Sequence, residues 1–150
     1  MGKAYGMEEL GIQALVGRKV LSAEINNEND LLVLDTDKGK LYLTWEGDCC
    51  AHCYLYHITG SEYLIGATIN EVTSSNWKDI SIADEYEVME SMGTNIRTDK
   101  GWVTFESRVE HNGFYGGQIQ VSDDKPMNQY GSPRYGTEHK QPKLKTLKDF

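Results

Sequence analysis

The chain has 150 residues, enough for one domain with a sizeable core and no need of metal or disulfide staples. Its formal charge of −8 is uneven: residues 1–124 carry 9 Lys/Arg against 21 Asp/Glu, a balance of −12, and residues 125–150 carry 6 against 2, a balance of +4. So acidic a body repels nucleic-acid backbones, which argues against direct DNA binding, and no apolar run is long enough to cross a membrane as a helix.

Met1–Tyr5 lacks the apolar region of a secretory signal, so a cytoplasmic location is expected. Glu8–Gly17 places Ile12, Leu15 and Val16 at helical spacing before a glycine, which predicts one or two short helical turns. Val20–Ile25 reads as a strand, residues 26–30 as a polar turn, and Leu31–Asp35 as a strand whose unbroken Leu-Leu-Val-Leu implies burial on both faces. A turn over residues 37–40 leads into Leu41–Trp45 and completes a three-stranded meander.

Gly47–Cys53 interrupts the sheet. The three cysteines, Cys49, Cys50 and Cys53, are odd in number and clustered, which does not make a disulfide framework and fits a reducing compartment. Cys50 and Cys53 have the C-x-x-C spacing, with His52 and His57 nearby, and are the weak candidates for a metal. A closed zinc site draws two such pairs, whereas His111 and His139 stand singly and far away, so no metal and no cofactor is expected. A reactive cysteine is the second functional reading; small apolar side chains buried in a tight bend are the structural one.

Ser61–Gly66 reads as a single helical turn between a serine cap and a glycine, and Ala67–Val72 as extended. Thr73–Asp79 is a loop or a sheet edge around Trp77. Tyr86–Met92 and Ile96–Thr98 add strands. Trp102 opens the densest β-forming stretch: Phe105, Ser107 and Val109 share one parity, which puts Phe105 in the core and leaves Trp102 and Arg108 on the other face. Asn112-Gly113 favours a tight reversal and Gly116-Gly117 a second bend before Gln118–Val121 resumes alternation. A hairpin is expected, its tip carrying Phe114 and Tyr115 beside His111, Asn112 and Arg108. Its rings either cover the core or meet a ligand where glycines let backbone approach closely. The expected class is α+β, mainly antiparallel sheet with one or two short helices and an extended C-terminal tail.

Residues 124–150 hold all three prolines and few aliphatic side chains, so the chain divides into an acidic sheet-rich domain, residues 1–123, and a basic tail, residues 124–150. Without aliphatic content the tail is expected to order only against a neighbouring subunit or another partner.

Several pieces, in order, resemble a small uncharacterised domain found widely in phage genomes. They are Leu15–Val20, Gly47-Asp48-Cys49-Cys50, Tyr63–Ile69, Lys100–Phe105 and His111-Asn112-Gly113-Phe114-Tyr115-Gly116, covering roughly residues 15–122. Where that family commonly has an acidic residue after the paired cysteines this chain has Ala51, and where it usually has serine before the Asn-Gly turn this chain has His111. The layout is also similar to the phage Thoeris anti-defence sponges, which sequester cyclic ADP-ribose-type signals and, in some members, cyclic oligonucleotides. That likeness implies a homo-oligomer in the host cell cytoplasm, with Trp102 and Asn112 against the nucleotide. On the physics, Arg97 or Arg108 would meet its pyrophosphate, and Tyr115, Phe114 and His111 complete the candidate site.

Three function classes follow. The first is a phage accessory protein that captures a cyclic nucleotide-type signal without catalysis. The second is a protein-binding phage factor: an acidic nucleic-acid mimic that inhibits a host defence complex, or a virion component, docked on a host or phage protein through residues 124–150. The third, an enzyme, is not expected, since no nucleophile elbow, phosphate loop or committed catalytic base is present.

Overall fold

The computed structural model describes residues 10–48, 50–82, 88–113, 116–123, 143–147 and 150, together with the backbone of residues 3–4 and 7–8. Alternating burial organises it. Along β10 (Trp102–His111) every second residue, Val103, Phe105, Ser107, Val109 and His111, is buried, while the residues between them face outward. The same period sends Leu41, Leu43 and Trp45 of β5 (Gly39–Gly47) inward.

The other strands described are β1 (Lys3–Ala4), β2 (Met7–Glu8), β3 (Val20–Asn26), β4 (Leu31–Thr36), β6 (His52–Thr59), β7 (Ile69–Ser74), β8 (Lys78–Asp79), β9 (Val88–Thr98), β11 (Gly117–Ser122) and β12 (Leu144–Thr146). Apart from the short pair β1-β2 they form two antiparallel sheets, one in the order β11-β5-β4-β3-β12 and one in the order β6-β10-β9-β7, with β8 also on β9. The meander β3-β4-β5 is as expected, and Leu31–Leu34 are all buried. Leu32 and Leu34 join the core with Ile25, Leu41, Leu43 and Val121 of the first sheet and Leu55, Ile96, Val103, Phe105 and Val109 of the second. Trp45 ties the sheets together: its indole N–H donates to Ser107 Oγ at 2.7 Å, and its ring lies 6.4 Å from that of Phe105 at 52°.

Three expectations need correction. The short helices are single 3-10 turns, Ile12–Leu15 and Ser61–Tyr63, and no α-helix occurs among the described residues, so the class is mainly β. Each turn follows a glycine at positive φ, Gly11 at 78° and Gly60 at 77°, and the chain is soon taken up by sheet: Gly17 N–H donates to Ile69 O and Gly66 N–H to Val20 O. Neither segment has the length to nucleate an α-helix.

The hairpin is also absent. β10 is flanked on both edges, by β6 and by β9, and has no ladder groups left for β11, which pairs with β5 in the other sheet. The chain therefore passes to the other sheet between β10 and β11. Finally, the described end of the tail packs on the chain's own sheet: β12 pairs with β3, Leu147 is buried in the core, and Phe150 packs against it. Leu144, Leu147 and Phe150, spaced by three among lysines, supply the apolar contacts that composition hid. Residues 124–142 lie outside the described residues. Among those described, no helix is long and apolar enough to cross a membrane.

Candidate functional site

The chain passes from the first sheet to the second between β5 and β6, and returns between β10 and β11. The two crossings meet. Asp48 N–H donates to Gly116 O at 2.9 Å, and Gly116 N–H donates to Asp48 Oδ2 at 3.0 Å, joining positions 68 residues apart. Gly117 brings its backbone so close to β6 and β10 that a Cβ there would stand 2.6 Å from Cys53 Sγ and 3.1 Å from a Val109 methyl. The cysteine bend and the Asn-Gly stretch thus form one corner of the molecule.

Cys53 is buried in that corner and Cys50 is exposed; Cys49 lies outside the described residues. No group of three His, Cys, Asp or Glu side chains converges there or elsewhere among the described residues. Burial pushes the Cys53 thiol up to about 12 from 9.0. The unfolded chain would lose this proton from about pH 9 while the folded chain holds it to about 12, so stability falls as pH rises through that window. Denaturation midpoints followed in reductant up to about pH 11 are expected to fall, and to fall less steeply for Cys53→Ala. In the folded protein iodoacetamide should leave Cys53 unmodified at about pH 8; rapid labelling would contradict its burial.

His111 belongs to the same corner but not to a ligand surface. It has the inward parity of β10 and is buried; its Nδ1 accepts the Gly113 backbone N–H at 2.9 Å, which leaves the ring proton on Nε2 to donate to Glu90 Oε1 at 2.6 Å. Histidine at this position brackets the turn. Asn112 is exposed at the end of β10, and Phe114 and Tyr115 lie outside the described residues.

The outward face of the second sheet carries the rest. Arg108 Nε bonds Glu106 Oε2 at 3.1 Å, and its guanidinium lies 3.4 Å over the Tyr56 ring. Ser91 Oγ donates to the same Glu106 oxygen at 3.1 Å. The rings of His52 and Tyr54 are 4.7 Å apart, with His52 Nδ1 3.8 Å from Glu110 Oε2. Burial first, and then its hydrogen bond to Glu110, push the Tyr54 hydroxyl up to about 12. At the far end Trp102, 53% exposed, pairs in register with Arg97, which bonds Glu71 Oε1 at 3.1 Å.

Of the residues expected at one cleft, the described ones, Trp102, Arg108 and Asn112, are spread along one strand. At about 3.3 Å per residue, Trp102 and Asn112 stand at opposite ends of β10, roughly 33 Å apart, and Arg108 lies about 20 Å from Trp102. What the fold does assemble is a row of rings and paired charges: Trp102 and Arg97 at one end, then Tyr56, Arg108, Tyr54 and His52 towards the other. Tyr54 and Tyr56 are not singled out by the sequence, and His52 is singled out there only beside the cysteines as a metal candidate. Alternation along His52–Thr59 was visible, but their meeting with Arg108 and Glu110 depends on the β6–β10 register and its bulge at Glu106/Ser107.

No curated protein and no solved structure matches the chain at a significant level. A family model does match residues 13–121, a span that includes both sheet crossings and the whole ring-bearing face, and the chain therefore belongs to the DUF7448 family, a domain of unknown function.

Proposed function

We propose that the protein is a phage accessory protein that counters host immunity by binding a cyclic nucleotide-type signal, a cyclic ADP-ribose or cyclic oligonucleotide, without catalysis, on the outward face of its second sheet. The observation that carries this reading is the set of rings on an open sheet face, Tyr56 at 46% and Trp102 at 53% exposure, beside Arg108 and Arg97. A base stacked on such a ring gains about 1–3 kcal/mol irrespective of its identity. A guanidinium is the planar group that meets a phosphate through two parallel hydrogen bonds. The acidic body opposes an anion, so the ligand's charge must be met by these two arginines locally.

One observation favours a second reading, a protein-binding factor. Both arginines are already paired, with Glu106 and Glu71, each at 3.1 Å, which leaves a flat, internally compensated surface suited to another protein. Calorimetry of the purified protein against cyclic ADP-ribose isomers and cyclic oligonucleotides separates the two. Binding by the wild type, weakened about tenfold by Trp102→Ala or Tyr56→Ala, is the expected result. No heat with any member of the panel would transfer the face to a protein partner, and binding untouched by both substitutions would place the ligand elsewhere.

A further inference from the structure

A cavity of about 450 Å³ opens where β3 of the first sheet, the turn over residues 61–65 and the C-terminal strand come together. Three local features create it. The pairing of β3 with β4 is irregular between Val20 and Ser22, and Leu21 there stands 49% exposed. Gly60 and Gly66, at φ of 77° and 81°, bound the Ser61–Tyr63 turn and set its path past β3. The short β12 closes the remaining side. Leu21, Ala23, Ile65 and Leu147 make the apolar wall; Ser22, Ser61, Glu62 and Thr146 supply the polar groups.

The size lies within the range of small-molecule sites, about 300–1,000 Å³, and apolar cavities of about 150 Å³ already take up benzene. Leu21 and Ile65, 49% and 42% exposed, present apolar surface to water beside a concavity, where an occupant would cover it. The charge of the lining selects the occupant. Glu62 is the one ionisable side chain among the described lining residues, so an anionic ligand meets no cation among them, in contrast to the ring-bearing face with its arginines.

We infer that this cavity is a second binding site, for a small amphiphile whose uncharged apolar body lies against Leu21, Ala23, Ile65 and Leu147 and whose single amino group reaches Glu62 and Ser61. The assignment is independent of nucleotide binding, because none of these residues lies on the outward face of the second sheet.

The test uses the full chain and the neutral fluorophore N-phenyl-1-naphthylamine, which brightens in apolar surroundings. Saturable enhancement is expected, displaced by decylamine below its micellar concentration and by decanoate only at concentrations at least tenfold higher. Ala23→Leu fills the cavity from its wall, and Ser61→Phe fills it from a half-buried position on the turn outside both sheets; each should weaken the fluorophore at least tenfold, while Trp102→Ala leaves it unchanged. Glu62→Gln should weaken displacement by decylamine and not that by decanol. Absence of saturable enhancement, enhancement indifferent to Ser61→Phe, or decanoate competing as well as decylamine would overturn the proposal.

Discussion

Trp45→Ala is expected to lower the stability of the folded chain by about 3–5 kcal/mol, a large share of the roughly 5–15 kcal/mol that holds a domain of this size together. Trp45 is 1% exposed and is the side chain through which β5 reaches both Phe105 and Ser107 of β10. Truncation would remove the ring from the centre of the core and leave a cavity that two flanking sheets, each held by its own ladders, cannot close. Trp45→Phe is the sharper probe. It keeps most of the apolar volume but deprives Ser107, which is fully buried, of its indole donor, a loss of about 1–3 kcal/mol. Urea denaturation of the three proteins measures both steps, and a cost for Trp45→Ala under about 1 kcal/mol would mean that the indole does not hold the sheets together.

What could be read from the residues alone is instructive at β10. Parity assigned Phe105 to the core and Trp102 to the surface, and the structure has them 0% and 53% exposed. Period two is a local property of the chain, so it survives whatever the strand pairs with. Partners are not local. Asn112-Gly113 has the residues of a tight hairpin, and Gly113 does take a φ of 101°, but whether the chain then folds back on β10 depends on whether β10 has a free edge, and β6 and β9 occupy both. For the same reason the expected site broke into pieces. In the sequence these residues are neighbours of one turn, whereas the fold spreads Trp102, Arg108 and Asn112 along a strand and turns His111 inward to brace Gly113. Arg108 lies on the outward face as its parity predicts, but its company of Tyr56 and Tyr54 comes from a strand about fifty positions earlier, a distance across which alternation carries no register. Leu147 shows the opposite case: one leucine in a lysine-rich segment reads as tail, yet with β12 laid on β3 it reaches the core.

The corner where the cysteine bend meets the Asn-Gly stretch predicts the second large effect. Gly117→Ala is expected to cost about 2–3 kcal/mol although the substitution adds a single methyl group. Gly117 is not among the glycines at positive φ, so its backbone suits any residue and the penalty is one of space. The new Cβ would stand 2.6 Å from Cys53 Sγ, 3.1 Å from Cys53 Cβ and 3.1 Å from a Val109 methyl, and the sulfur cannot swing away because Cys53 is 3% exposed and Val109 fully buried. Gly116→Ala, one position earlier, meets nothing closer than an Asp48 carboxylate oxygen at 3.9 Å and should fall within about 0.5 kcal/mol of the wild type. Cys53→Ala alone removes a buried sulfur at a cost of about 1 kcal/mol. In the double variant Cys53→Ala/Gly117→Ala the incoming methyl occupies part of the space the sulfur leaves, so the two losses should fall short of their sum by at least about 1 kcal/mol. Denaturant midpoints of the four proteins close the cycle. Strict additivity would show that the two chain crossings do not press on one another at this point, and equal costs for Gly116→Ala and Gly117→Ala would show that the penalty does not come from the contact with Cys53, since the lower chain entropy of alanine favours folding at both positions.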